Sequence, residues 1–305
     1  MNDTANPLVS VVIPTYNHAS YLGRALQSVL NQTYTNWEVI VIDNHSTDKT
    51  DEVMASFTDS RITFKKIHNK GVIAASRNAG IRSAKGEWIA FLDSDDWWVA
   101  EKLQFCSEVI NDKVDFIYHD LEIVADQPRY FRQKIIKSWQ VKPPVLIDLM
   151  VRGSAIATSS AVARTDLLKQ LKGMNESSDM VAAEDYNMWL RIAQLTDGFK
   201  YVSKRLGFYQ LHNQGISSRK DMSVPSQHAA AEFIPLLIPQ QKKRFGANLS
   251  YTRGRFNYLA GNYMSAKKNL IICILNGPRK IIFKAVYMYI TAIIFENIDF
   301  KRFNK

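Results

Sequence analysis

The strongest constraint on the fold is a set of short apolar runs in the first third of the chain, separated by stretches with helical spacing. Residues 8–13 and 37–42 are rich in β-branched side chains, residues 61–65 alternate, and residues 88–92 are apolar throughout. Buried parallel strands read as continuous apolar runs, and the helices that connect them cover the sheet. We therefore expect an α/β fold with a mainly parallel sheet flanked by helices.

Further strands are predicted downstream, followed by a region without strand signals. Residues 114–118, 158–163, 199–202 and 206–211 have strand character, and residues 184–195 have helical spacing. The last two strands are expected to return to an edge of the sheet. After about residue 223 the chain looks helical. We predict a sheet domain over residues 1–222 and a C-terminal helical appendage over residues 223–305.

The charge of the chain lies almost entirely in its C-terminal region. The net charge is +10, and residues 241–305 contain thirteen lysines and arginines against only Glu296 and Asp299. The rest of the chain is therefore close to neutral. This asymmetry favours an anionic partner for the C-terminal region, either a membrane surface or a nucleic acid. A solvated helical face is the alternative.

The cysteines and the N-terminus indicate a cytoplasmic protein. Cys106 and Cys273 are far apart in the sequence and lie among apolar neighbours, which predicts buried thiols in a reducing compartment. Residues 1–7 lack a basic start followed by an apolar run, so we expect no secretory signal.

An acidic loop follows the fourth apolar run. It reads Asp93, Ser94, Asp95, Asp96, and carboxylates this close repel one another unless a cation or solvent relieves them. Because hard divalent ions prefer oxygen ligands, Asp95 is a candidate metal ligand, with Asp93 directed at a nucleotide ribose. A divalent ion here would bridge the two phosphates of a diphosphate donor. The alternative is a polar turn in which Asp96 caps a helix.

A second polar loop should lie at the same edge of the sheet. Asp43 and Asn44 follow the second apolar run, and the carboxyl ends of parallel strands share one edge. Either side chain can accept a hydrogen bond from a base N–H, and Tyr16, after the first strand, can stack on the base. The alternative is a turn followed by a helix cap, which we prefer for Asp48.

Six segments in this order resemble glycosyltransferase family 2. They are residues 9–17 (VSVVIPTYN), 28–33 (SVLNQT), 41–48 (VIDNHSTD), 76–80 (SRNAG), 86–96 (GEWIAFLDSDD) and 184–191 (EDYNMWLR). The resemblance covers roughly residues 8–218. It implies a GT-A fold, inversion at the anomeric carbon, and Mn²⁺ or Mg²⁺ bound by the acidic loop on a nucleotide diphosphate sugar.

The same resemblance places several residues at the nucleotide. It implies that Arg77, Pro14 and Ser94 lie near the nucleotide and that the pair after the second strand reads the base. Here that pair is Asp43 and Asn44 rather than two aspartates. A UDP-sugar is the expected donor, with guanine or thymine nucleotides as alternatives, and a saccharide is the expected acceptor.

The resemblance also suggests the catalytic base and a second metal ligand. Asp185 matches the family's base, which must reach the acceptor hydroxyl, and Glu184 is the substitute. The alternative is that both carboxylates only stabilise the start of a helix. His212 could help bind the metal or the diphosphate, although Gln210 stands where the family often has arginine.

The absence of other motifs narrows the function. The sequence contains no dinucleotide glycine fingerprint, no Walker loop and no Gly-x-Ser-x-Gly elbow. The family resemblance, together with the basic C-terminal region, implies an inverting glycosyltransferase of bacterial surface polysaccharide synthesis. A sugar nucleotidyltransferase and a non-catalytic sugar-nucleotide-binding protein are the alternatives.

The C-terminal region has two notable segments. Residues 256–278 look like one helical-hairpin repeat of the tetratricopeptide type. Residues 281–295 are apolar and aromatic, follow Arg279 and Lys280 and include Lys284. A span needs about 20 apolar residues, so an interfacial helix on the inner leaflet of the plasma membrane is favoured. A helix packed on the sheet domain or a contact between two copies is the alternative, and no nucleic acid is expected.

Overall fold

The chain divides into two compact units. The computed structural model describes residues 6–125, 135–153, 156–212 and 220–303. The first unit comprises Met1–Val145 and Ala155–His212, and the second comprises Leu146–Ser154 and Asn213–Lys305. The sequence predicts one boundary after residue 222. The short segment 146–154, which belongs with the C-terminal unit, was not foreseen.

The first unit is built on one curled sheet. Its strands are β1 (Val9–Thr15), β2 (Trp37–Asp43), β3 (Ile62–Lys66), β4 (Trp88–Phe91), β5 (Trp97–Trp98), β6 (Phe116–Ala125), β7 (Ile135–Ile136), β8 (Val162–Arg164) and β9 (Phe199–Leu211). Their order is β3-β2-β1-β4-β8-β6-β9-β5, and β7 pairs with β6. The first four strands are parallel, as is the pair of β6 and β9, whereas β5, β7 and β8 pair antiparallel. The expectation of a mainly parallel sheet flanked by helices is confirmed.

Helices precede, follow or connect these strands. The α-helices are α1 (Ala19–Leu30), α2 (Thr50–Ala55), α3 (Ile73–Ser83), α4 (Lys102–Ser107), α5 (Val145–Arg152), α6 (Thr165–Gln170), α7 (Glu184–Leu195), α8 (Ser223–Ala230), α9 (Pro239–Leu259), α10 (Tyr263–Asn276) and α11 (Arg279–Phe303). Short 3-10 helices cover Thr158–Ser160, Ser178–Met180 and Ala231–Leu236.

Two strand predictions differ from the structure. The sequence predicts one strand over residues 158–163, but only Val162–Arg164 pairs in the sheet, and Thr158–Ser160 form a 3-10 helix. Ser160 Oγ donates to the Ala157 carbonyl, which competes with strand pairing. The two strands expected over residues 199–211 are one strand. It shifts register twice, between Val202 and Arg205 and between Arg205 and Gly207, and β5 pairs with it only at Gly207 and Phe208.

Close packing places two helices against the sheet. A Cβ on Gly80 of α3 would lie 2.3 Å from Cγ1 of Val12, so this position of α3 needs glycine to approach β1. In α7, Trp189 is buried and packs edge-on against Phe116, with ring centroids 4.7 Å apart. Anchored in this way, α7 presents Glu184 and Asp185 in its first turn.

The C-terminal unit contains a run of three long helices. Three residues connect α9 to α10 and two connect α10 to α11, so the chain reverses direction at each connection. Gly254 of α9 contacts Leu270 of α10. A small core includes Leu270, Cys273 and Met288. Among the described residues, no helix combines the length and apolar character needed to cross a bilayer.

Candidate active site

Three loops of the first unit meet at one edge of the sheet. β1 is parallel to both β2 and β4, so the loops that follow these strands share an edge. The loop after β1 contacts both others: the Asn17 amide donates to Ser46 Oγ at 2.8 Å, and His18 Nδ1 lies 2.8 Å from Ser94 Oγ. Asn17 has a φ of 52°, a left-handed conformation that asparagine tolerates well. The predicted common edge is confirmed.

Arg77 joins the acidic loop to the start of α7. Its Nη2 donates to Asp93 Oδ1 at 2.6 Å, and its Nη1 donates to Glu184 Oε1 at 2.5 Å. Burial disfavours the charge of Arg77, but attraction to Asp93 and Glu184 outweighs burial and raises its pKa. Among the described residues, Arg77 Nε and Glu184 Oε2 are buried without a hydrogen-bond partner. Both atoms lie out of reach of solvent in this arrangement.

Asp185 is held by two hydrogen bonds beside this cluster. Thr158 Oγ1 donates to its Oδ2 at 2.8 Å, and the Tyr186 amide donates to its Oδ1 at 2.7 Å. Burial and the neighbouring charge of Glu184 raise the pKa of Asp185 to about 6, although Arg77 opposes the shift. Asp185 is therefore ionised at neutral pH and is a stronger base than an ordinary carboxylate.

Asp96 connects the acidic loop to residues outside it through hydrogen bonds. The sequence does not suggest this role. Its Oδ2 accepts a hydrogen bond from Ser159 Oγ at 2.5 Å, and its Oδ1 accepts one from the backbone N–H of Gln210 at 2.9 Å. Ser159 Oγ also accepts from the Asp93 amide. Burial and then the charges of Asp95 and Asp93 raise the pKa of Asp96 well above its usual value. Asp96 does not cap a helix, since α4 begins only at residue 102.

Asp95 and His212 form a pair of potential metal ligands. Asp95 Oδ2 lies 2.9 Å from His212 Nε2. Adjacent ligands of an octahedral ion at about 2.1 Å are about 3 Å apart, so the carboxylate oxygen and the imidazole nitrogen fit one divalent cation. Among the described residues, no group of three His, Cys, Asp or Glu is placed to hold a metal ion. The remaining ligands would have to come from substrate phosphates and water.

The sequence does not identify Arg24 as a residue of the site, because nothing in α1 distinguishes it from an ordinary surface arginine. Its Nη2 donates to the Asp95 carbonyl at 3.1 Å and to Gln210 Oε1 at 2.9 Å. Its guanidinium lies 3.5 Å from the centroid of the Trp97 ring. Arg24 therefore connects the loop that carries Asp95 to the strand that leads to His212.

The residues proposed for base recognition lie further along the edge. Asp43 is completely buried and accepts from the amide and hydroxyl of Ser46, so its oxygens are bonded within their own loop. Asn44 Oδ1 accepts from the Asn69 amide at 2.9 Å. Pro14 is buried in β1, whereas Tyr16 is 52% exposed. Direct contact of Asp43 with a base remains a prediction.

Sequence comparisons support the resemblance to glycosyltransferases. The family model for Glycosyl transferase family 2 matches residues 10–161. The Escherichia coli protein WfgD, named UDP-Glc:alpha-D-GlcNAc-diphosphoundecaprenol beta-1,3-glucosyltransferase, is 32% identical over 220 residues, or 70% of this chain and 81% of that protein. The putative teichuronic acid biosynthesis glycosyltransferase TuaG of Bacillus subtilis (strain 168) is 39% identical over 219 residues, or 70% of this chain and 83% of that protein.

Solved structures share the fold. S. aureus TarS residues 1–349 in complex with UDP superposes with a TM-score of 0.63 at 20% identity, covering 93% of this chain and 88% of that one. The mannosyltransferase PcManGT from Pyrobaculum calidifontis, in complex with GDP-Man and Mn²⁺, has a TM-score of 0.59 at 19% identity, covering 95% and 81%. The fold is that of the GT-A glycosyltransferases. The chain belongs to glycosyltransferase family 2.

Proposed function

We propose that the chain transfers one sugar, with inversion at the anomeric carbon, from a UDP-sugar to a hydroxyl of a lipid-linked saccharide. The observation that carries the proposal is the convergence of Asp93 and Glu184 on Arg77, with Asp185 as the next residue of α7. These residues come from three distant segments of the sequence. Their ion pairs bring the acidic loop and the first turn of α7 onto one buried guanidinium.

The donor and acceptor are proposed from the relatives. WfgD is named for a UDP-sugar donor and a diphosphoundecaprenol-linked acceptor, and TuaG for teichuronic acid biosynthesis. These names support a uridine nucleotide, an acceptor anchored in lipid and a role in building a bacterial surface polysaccharide. The buried free thiols of Cys106 and Cys273 fit reaction on the cytoplasmic side of the membrane.

Asp185 is proposed as the catalytic base. It takes the proton of the acceptor hydroxyl as the oxygen attacks the anomeric carbon, and the electrons of the broken carbon–oxygen bond leave with the diphosphate. Glu184 is less suited to this role because its Oε1 is ion-paired with Arg77. The Thr158 hydroxyl orients Asp185 and favours its ionised form.

Asp95 and His212 are proposed to hold Mn²⁺ or Mg²⁺. A bound divalent cation would neutralise charge on the diphosphate as it departs. The Mn²⁺ complex of PcManGT supports a metal in this fold. Arg24 and Asp96 keep the two ligands in place, because both bind Gln210, two residues before His212. Arg24 also binds the Asp95 carbonyl, and Asp96 is itself part of the acidic loop.

The proposal is tested by product analysis with a panel of nucleotide sugars and Mn²⁺. We expect release of nucleoside diphosphate, and Asp185→Asn should lower kcat by about 10²–10⁴-fold while donor binding persists. Asp179→Asn, a change at an exposed carboxylate nearby in the sequence, is the control. Pyrophosphate release would instead indicate a nucleotidyltransferase. Donor binding without turnover, given lipid-linked acceptors, would indicate a non-catalytic binding protein.

A further inference from the structure

Helix α11 has an exposed face that is apolar. One side of the helix is buried through Ala285, Met288 and Ala292. The opposite side carries four large apolar side chains at spacings of four, three and four residues: Phe283 (80% exposed), Tyr287 (67%), Ile290 (52%) and Ile294 (50%). A helix on the surface of a soluble protein normally presents polar residues there. The stripe from Phe283 to Ile294 therefore needs a partner.

The neighbouring helix also has exposed apolar side chains. Ile271, Ile272 and Leu275 of α10 are also exposed. Leu275 and Phe283 stand on either side of the short connection between the two helices, and they are the most exposed large apolar side chains in the described part of the chain. Exposed apolar side chains in such a cluster indicate an interaction site rather than scattered surface residues.

The same part of the unit is strongly basic. Between Glu232 and Glu296 the sequence has ten lysines and arginines and no aspartate or glutamate. Because the chain reverses at both connections, the start of α9, the end of α10 and the start of α11 lie at one end of the helices. Six basic residues occupy that end, and all are exposed: Lys242, Lys243, Arg244, Arg279, Lys280 and Lys284. We call this set the basic end.

We propose that the apolar stripe of α11 and the basic end together bind the surface of an anionic lipid bilayer. In this arrangement α11 lies in the plane of the interface, since its other face is already buried against the protein. Aromatic side chains such as Phe283 and Tyr287 favour the headgroup region. Lysine and arginine near an anionic surface each add about 1 kcal/mol of attraction.

Charge decides between a bilayer and a second copy of the chain. A symmetric dimer built on the stripe would bring two identical patches together. Both patches carry the basic end and neither carries a carboxylate between residues 233 and 295 to offset it. An anionic bilayer complements both the charge and the apolar stripe. The proposal is independent of the sugar-transfer reaction, although a lipid-linked acceptor would be met at such a surface.

The test is binding of the full chain to vesicles in the absence of any sugar donor. We expect the protein to float with vesicles of phosphatidylcholine mixed with phosphatidylglycerol, and much less with phosphatidylcholine alone. Phe283→Ser/Tyr287→Ser should weaken partitioning by on the order of tenfold or more, because two apolar side chains no longer enter the lipid. Leu195→Ser/Val224→Ser, which changes two other exposed apolar residues, should bind like the wild type.

Further variants and measurements separate the contribution of the basic end from that of the apolar stripe. Arg279→Gln/Lys284→Gln should reduce binding to anionic vesicles and make the residual binding less sensitive to salt. Donor hydrolysis without vesicles should be unchanged in every variant, so failure of this proposal is distinguishable from failure of the proposed function. Unchanged vesicle binding by Phe283→Ser/Tyr287→Ser would overturn the proposal. A wild-type dimer that this variant converts to a monomer, measured by light scattering, would also overturn it.

Discussion

Loss of the Thr158 hydroxyl should shift the pH dependence of sugar transfer. Thr158→Val removes the hydrogen bond of 2.8 Å to Asp185 Oδ2 and, within the described part of the chain, leaves the Tyr186 amide as the remaining donor to the carboxylate. A hydrogen bond to a charged group is worth about 1.5–3 kcal/mol, and one pKa unit corresponds to about 1.4 kcal/mol. The pKa of Asp185, which is about 6 in the wild type, should therefore rise by at least about one unit.

The sign of the effect follows from the role of the base. Asp185 must be ionised to accept a proton, so kcat/KM falls as the pH drops below its pKa, and in Thr158→Val this fall should begin about one unit higher. The assay is the pH profile of kcat/KM, with Ser160→Ala as the control because Ser160 Oγ bonds to Ala157 instead. An acidic limb that coincides with that of the wild type would refute the reasoning. A uniform loss at all pH values would point to misplacement of the site rather than to a pKa shift.

Three other substitutions probe the site and its support. Arg77→Met should lower the free energy of unfolding by about 3–5 kcal/mol in urea titrations, because two carboxylates lose their buried partner. A loss below about 1 kcal/mol would contradict this expectation. Gly80→Ala should lower the free energy of unfolding by about 1–3 kcal/mol, because the added methyl group would meet Val12. The measurement is Tm, and an unchanged Tm would contradict the close packing of α3 on β1. Asp95→Asn should weaken donor binding measured by calorimetry in Mn²⁺ while leaving metal-free binding unchanged, and equal loss in both conditions would argue against metal ligation.

The parallel strands and their order of appearance could be predicted because burial on both faces leaves a local signature. In β1 all seven residues are buried, and the sequence shows this as a run rich in β-branched residues, with Ser10 and Thr15 as its polar members. α7 was predicted over its full length because Trp189 and its apolar neighbours recur at helical spacing. Residues 158–163 were predicted wrongly because the Ser160 hydroxyl bonds to the Ala157 carbonyl, while Thr158 and Ser159 bond to carboxylates distant in the sequence.

The contacts that organise the site could not be predicted from residue spacing. Arg77 and Glu184 are 107 positions apart, and Ser159 and Asp96 are 63 apart, so their pairing depends on strand order and register. Asp96 itself lies in the acidic loop, and its position immediately after Asp95 is the one signal that could have suggested a role. For Arg24 the sequence has no such signal. Its partners are a backbone carbonyl and a glutamine side chain brought together only by the fold.

The 3-10 helix Thr158–Ser160 couples the two halves of the site. Thr158 orients Asp185, while the adjacent Ser159 binds both the Asp93 amide and the Asp96 carboxylate. The separation of the proposed base from the acidic loop is therefore set by two consecutive residues. A regular β-strand would place successive side chains on opposite faces of the sheet. The departure from strand geometry at Thr158 and Ser159 lets neighbouring hydroxyls bond to both carboxylate-bearing segments. The strand prediction therefore fails at a position that the proposed site uses.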